Sequence, residues 1–302
     1  MLGSETTALV RAGRAERTVR LSHALRHVAP DQAERLEPWA ERGDSWSHTV
    51  VAHLETRARL WAQHDQAHFA RNVENFLDAF ESLPSGPRVV DADDCDLYEN
   101  SPYESPCRLL TPSSGLRPLD DLSPGALGLL EAHRLFGEVV REGAGVVVAG
   151  GRIEAMSANN SWTLAELDAT IYMDVPESPL RVAEALLHEA SHNLLFEVVR
   201  SERITLEPER VWYSPWKRSR RPAYGFIHSV YAFSQLVSFW NAVQAPSEVE
   251  ERYRRIRLTE EQANLRSIER DARSALALLG RSESGHLVRN AYDVALSVPA
   301  PP

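Results

Sequence analysis

Between residues 8 and 83 apolar side chains recur three and four positions apart, as in Val50, Leu54, Leu60, Trp61, Phe69, Val73, Phe76, Leu77 and Phe80, which predicts a helical N-terminal region over 1–83. Pro84, Pro87, Pro102, Pro106, Pro112 and Pro118 then fall among Ser, Gly and Asp, a pattern that predicts an irregular connection over 84–118. Residues 119–302 follow as a third region, unless all three form one domain. There Ser123-Pro124 offers a cap and a first-turn proline, and Leu127, Leu130, Leu135, Val139 and Val140 continue one apolar face, predicting a helix of roughly 15 residues. Val146-Val147-Val148-Ala149, a Gly150-Gly151 turn and Arg152 to Met156 predict a hairpin, with Thr170-Ile171-Tyr172-Met173 as a third short strand. Ser178-Pro179 repeats the cap-plus-proline start. Leu180, Ala183, Leu187, Ala190 and Leu194 form a stripe that buries one side of a helix from Pro179 to about Arg200. Thr259-Glu260-Glu261-Gln262 reads as a capping box before a last helical stretch that stops at Gly280. The fold expected is α+β: mainly helical, with a small antiparallel sheet beside the helix that starts at Pro179.

Composition narrows the partners. A hydrophobic fraction of 43% over 302 residues suffices for a core, and a formal charge of -10 argues against general affinity for nucleic acid. No run approaches the roughly 18 apolar residues of a membrane span, and Arg11, Arg14, Arg17, Arg20 and Arg26 punctuate the start where a signal peptide needs an apolar stretch. The expectation is a cytoplasmic chain without a membrane partner, with Cys95 and Cys107 reduced. Lys217 is the only lysine, so no arginine is assigned a role from its residue type alone.

The helix from Pro179 carries His188-Glu189-Ala190-Ser191-His192. Two histidines four apart project from one side of a helix about a turn apart and can share a metal ion, and the apolar setting Ala185-Leu186-Leu187 leaves their ring nitrogens in need of a partner. The alternative is a pair of core histidines satisfied by hydrogen bonds. His64 and His68 repeat the spacing on another predicted helix, among Gln63, Asp65 and Gln66, and read as a solvated face. A mononuclear site needs a third ligand. Leu195 and Val198 stand where a metzincin has Gly and His, and Glu202, Glu207 and Glu209 lie in a stretch broken by Pro208 and Pro215, poorly placed for a gluzincin. His228 fits better, because Pro222 can open a helix whose face Phe226, Val230, Phe233 and Val237 is apolar; a satisfied core histidine is the other reading of it.

His188-Glu189-Ala190-Ser191-His192-Asn193-Leu194-Leu195, followed by Tyr213-Ser214-Pro215-Trp216, Arg221-Pro222, Gly225 and His228-Ser229-Val230-Tyr231-Ala232-Phe233, resembles the HExxH-motif peptide-modification proteins encoded beside clusters for ribosomally made, modified peptides. The matched stretch runs over about 180–240. The resemblance implies an Fe(II)- and 2-oxoglutarate-dependent dioxygenase that β-hydroxylates a residue of a precursor peptide, with His188, His192 and His228 as metal ligands. It further implies Arg221 as the partner of the cosubstrate, with Arg218 and Arg220 close enough to compete, and a zincin-like fold. Three histidines depart from the usual two-histidine, one-carboxylate set. Glu189 would orient a neighbouring group in an oxygenase. In the alternative, a zinc metallopeptidase, it would be the general base. Asn193 and Tyr213 are further candidates to line the site. A non-enzymatic peptide-binding protein is the remaining alternative.

Overall fold

The computed structural model describes residues 2–63, 65–98 and 107–299. Five helices come first: α1 (Ser4–Leu25), α2 (Pro30–Glu34), α3 (Glu37–Arg42), α4 (Ser45–Trp61) and α5 (Gln66–Phe80). Strands β1 (Arg88–Asp91), β2 (Asp96–Leu97), β3 (Arg108–Leu109) and β4 (Arg117–Pro118) lead to α6 (Ala126–Glu131) and α7 (Arg134–Gly143). Then come β5 (Val146–Ile153), β6 (Ser161–Thr163), β7 (Thr170–Pro176) and α8 (Pro179–Ser201). A hairpin of β8 (Val211–Ser214) and β9 (Ser219–Pro222) precedes α9 (Ala223–Ala242), α10 (Glu248–Ser267), α11 (Glu269–Leu276) and α12 (Glu283–Ser297). Helices take up 61% of the described residues, which bears out the mainly helical expectation.

The sheet is mixed. Its order is β4-β1-β5-β7-β6, with β1, β5 and β7 parallel and the edge strands β4 and β6 antiparallel to their neighbours. The expected hairpin around Gly150-Gly151 does not form. β5 continues through both glycines, with a break in register between Ala149 and Arg152, and pairs with β1 on one side and β7 on the other. Val146 and Val148 pack with α4 and α5 while Val147 and Ala149 pack with α7 and α8, so the run of apolar residues is a strand buried on both faces. The segment 84–118, expected to be irregular, supplies β1, whose Val89 and Val90 are fully buried.

Other boundaries differ for local reasons. The helix expected after Ser123 divides into α6 and α7, with Gly125 at φ 90° before the first. Thr259 lies inside α10, its hydroxyl donating to the Arg255 carbonyl, and the working cap is Ser247, whose side chain receives Glu250 N–H and donates to the Glu250 carboxylate. α4 ends at Trp61 and Asp65 caps α5, with His68 in its first turn; His64, the other half of the expected pair, lies outside the described residues.

α8 forms as expected, with Ser178 receiving the Arg181 N–H. α1 holds it in place. Arg14, 2% exposed, donates to Glu197 on α8 and to Glu142 on α7. About one turn further along both helices Asp168, 1% exposed, accepts from Arg17 of α1, Arg200 of α8 and His48 of α4. Gly143 lets α7 lie against α8, since a Cβ there would stand 2.1 Å from the Ala190 carbonyl oxygen. Among the described residues no helix is long and apolar enough to cross a membrane.

Candidate functional site

α8 and α9 cross so that their histidines meet. His188 and His192 place their Nε2 atoms 3.2 Å apart, and His192 Nδ1 lies 3.4 Å from His228 Nδ1. Two nitrogens each about 2.1 Å from one ion in a cis or tetrahedral arrangement stand about this far apart. His228 meets the opposite edge of the His192 ring, stacked at 5.6 Å between centroids, so its ring does not aim at the point that His188 and His192 share. Among the described residues no three His, Cys, Asp or Glu side chains surround one point as ligands. Burial holds all three rings neutral: it presses His188 down to about 4 and His228 to about 3, and depresses His192 with help from the other two rings and Arg221. Neutral imidazole is the form that binds metal. Among the described residues His188 Nδ1 and His228 Nε2 have no hydrogen-bond partner although both are buried, which is an uncompensated cost.

Aromatic rings close the site. Phe233 lies 4.9 Å from His188, while Phe196 and Tyr224 lie 4.3 and 4.4 Å from His228. Beside His188 and Phe233 a cleft of about 300 Å³ opens between α8, β6, α9 and α10, bordered also by Ser161, Arg181, Glu184, Tyr253 and Arg257.

Glu189 turns toward the sheet. Its carboxyl accepts from the Ser161 hydroxyl of β6 at 2.8 Å, and burial pushes it up to about 7 against the opposing pull of Ser161 and the Lys217 charge. Asn193, one turn on, bonds Thr163 of the same strand and donates to the Gly143 and Thr170 carbonyls, so it ties α8 to the sheet. Sequence alone offered no sign of Ser161 and Thr163 as these partners, because a three-residue strand carries too little pattern.

Strand parity separates the arginines. Arg221 pairs with Trp212 and Arg220 with Tyr213 across the β8–β9 ladder, so the two arginines face opposite sides. Arg221 faces inward: it is half-buried, its guanidinium donates to Ser229 at 3.4 Å, and burial lowers its pKa. It crosses over Gly225, where a Cβ would come 3.0 Å from its guanidinium carbon. Arg218 sits exposed in the turn with φ 49°, and Arg220 is exposed on the outer face. Tyr213 is 50% exposed on that outer face and does not line the histidine cluster. No protein-family model matches this sequence, and no curated protein shows significant similarity to it.

Proposed function

We propose that the chain is an Fe(II)- and 2-oxoglutarate-dependent hydroxylase acting on a residue of a ribosomally made precursor peptide, the activity implied by its resemblance to the HExxH-motif peptide-modification proteins. The observation that carries the reading is three neutral imidazoles gathered without a carboxylate, next to a half-buried arginine that has no acidic partner among the described residues. The donor set suits iron. Three nitrogen ligands leave room for a 2-oxo acid and dioxygen. His188 and His192 would hold the metal together, and His228 would complete the set once its ring turns toward the point they share. The chemistry a bound Fe(II) supplies is oxidative decarboxylation of the 2-oxo acid coupled to oxygen insertion into a C–H bond of the substrate.

The chain's own residues supply the surroundings. Arg221 offers two parallel N–H donors to a carboxylate in a partly dry setting, where such a pair is strongest. Phe196, Tyr224 and Phe233 keep water from the imidazoles, and the Ser161 bond fixes Glu189 against β6. A motif helix packed under a mixed sheet with an antiparallel edge strand is consistent with a zincin-like arrangement.

The second reading is a zinc metallopeptidase, and what favours it is Glu189 raised to about 7, in the range a general base uses. The two divide on one experiment. Purified protein with Fe(II), oxygen and 2-oxoglutarate should release succinate, and Glu189→Gln should retain measurable turnover. Zinc-dependent peptide cleavage that disappears in Glu189→Gln, with no succinate formed by the parent, would overturn the proposal.

A further inference from the structure

The β8–β9 hairpin spans Val211–Pro222 and contains Lys217, Arg218, Arg220 and Arg221 but no Asp or Glu, within a chain of net charge -10. Among the described residues none of these four cations pairs with a carboxylate, whereas Arg210, just before the hairpin, pairs with Glu207. Arg221 points inward, and the other three are exposed. Register puts Arg220 on the outer face with Val211 and Tyr213, 39% and 50% exposed, while Lys217 and Arg218 lie in the turn and Tyr224, 36% exposed, stands at the start of α9 beside His228.

The hairpin is fastened down. On its inner face Trp212 stacks over Phe226, and Trp216 stacks over Phe233 at 4.3 Å and donates its indole N–H to Glu261. Both ends adjoin the histidines, through Phe233 beside His188 and Tyr224 beside His228. This is a preformed strip of apolar and aromatic surface bordered by unpaired cations, and it leads into the site. The net charge of -10 repels an acidic chain overall, so a local run of four cations without a carboxylate is where such a chain would be held.

We infer that the outer face and turn of the β8–β9 hairpin are the docking surface for an acidic segment of the peptide substrate, seated on Val211 and Tyr213 and held by Lys217, Arg218 and Arg220. This rests on the peptide-modifying reading of the site and adds the class of peptide. Nucleic acid shares the negative charge, but the chain's overall charge works against a polyanion far larger than the strip.

The test is fluorescence anisotropy in chelator, which needs neither metal nor turnover. The probes are a labelled dodecapeptide with Glu at every third position and its Gln counterpart. The Glu peptide should bind about tenfold tighter or more and weaken with salt, and Lys217→Gln/Arg218→Gln/Arg220→Gln should remove about tenfold, as expected for three exposed charge pairs. Lys217→Glu/Arg220→Glu should shift the preference toward a Lys-containing peptide. Equal binding of both probes, an unaffected triple variant, or tighter binding to single-stranded DNA or anionic vesicles than to the Glu peptide would overturn the inference. Acidic-peptide binding by a chain that forms no succinate would keep the docking surface and discard the oxygenase reading; succinate formation with no preference for acid would do the reverse.

Discussion

Asp168→Asn removes one negative charge from the junction of α1, α4 and α8 while preserving shape. Asp168 is 1% exposed and receives Arg17, Arg200 and, at 2.9 Å, His48 Nε2. Removing one partner of a buried ion pair costs about 3–5 kcal/mol, because the remaining charge has no compensation. Two features place this case at the lower end. Arg17 retains Glu55 at 2.7 Å, and the Arg200 side chain is 41% exposed, so solvent screens its share. The expected loss is about 3 kcal/mol at neutral pH, read as a lower urea midpoint with unchanged slope. The pH dependence carries a sign. Burial alone would raise Asp168, but Arg17, His48 and Arg200 hold it well below the usual carboxylate range. A carboxyl depressed in the folded state stabilises fully above its unfolded value of about 3.9 and loses that contribution as pH falls below it. The gap between parent and variant should therefore hold from neutrality to about pH 5 and narrow in stronger acid. Buried His48, also depressed, adds a loss to both proteins below about pH 6.5. A difference under about 1 kcal/mol at pH 7, or a gap that widens in acid, would refute the reasoning.

Arg221→Ala should raise the 2-oxoglutarate concentration for half-maximal succinate release at least about tenfold, while Arg218→Ala changes it little; the reverse order would move the anion partner to Arg218. Gly225→Ala should raise the same concentration several-fold with little change in stability, because its methyl displaces only the flexible Arg221 guanidinium, and an unchanged curve would contradict that placement. Gly143→Ala drives a methyl into the Ala190 backbone and should cost about 3 kcal/mol in urea unfolding, whereas a loss below about 1 kcal/mol would mean α7 and α8 separate easily.

α8 and α9 were legible because their signals are local: Ser178 and Pro179 at one start, Pro222 before the other, and apolar stripes behind each. The sheet was less legible. A strand buried on both faces shows no alternation, so Val146 to Ala149 looked like one arm of a hairpin and the glycines like its turn, while β1 was hidden among prolines. Thr259 shows the limit of a cap motif, since the same residues fit inside a helix once Ser247 starts it earlier. Arg218, Arg220 and Arg221 could not be told apart until the register Trp212 to Arg221 fixed which faces inward. Glu189 and Asp168 depend on partners far along the chain, Ser161 for one and Arg17, His48 and Arg200 for the other, and no spacing rule reaches them.

The central claim is that His188, His192 and His228 hold one metal ion. Anaerobic Fe(II) titration of the parent and of His188→Ala, His192→Ala and His228→Ala tests it most directly. The parent should bind one equivalent, and every variant should bind at least about tenfold more weakly, as for loss of a ligand from a set of three. Undiminished binding in all three variants, or loss on removing His188 and His192 with none on removing His228, would contradict it.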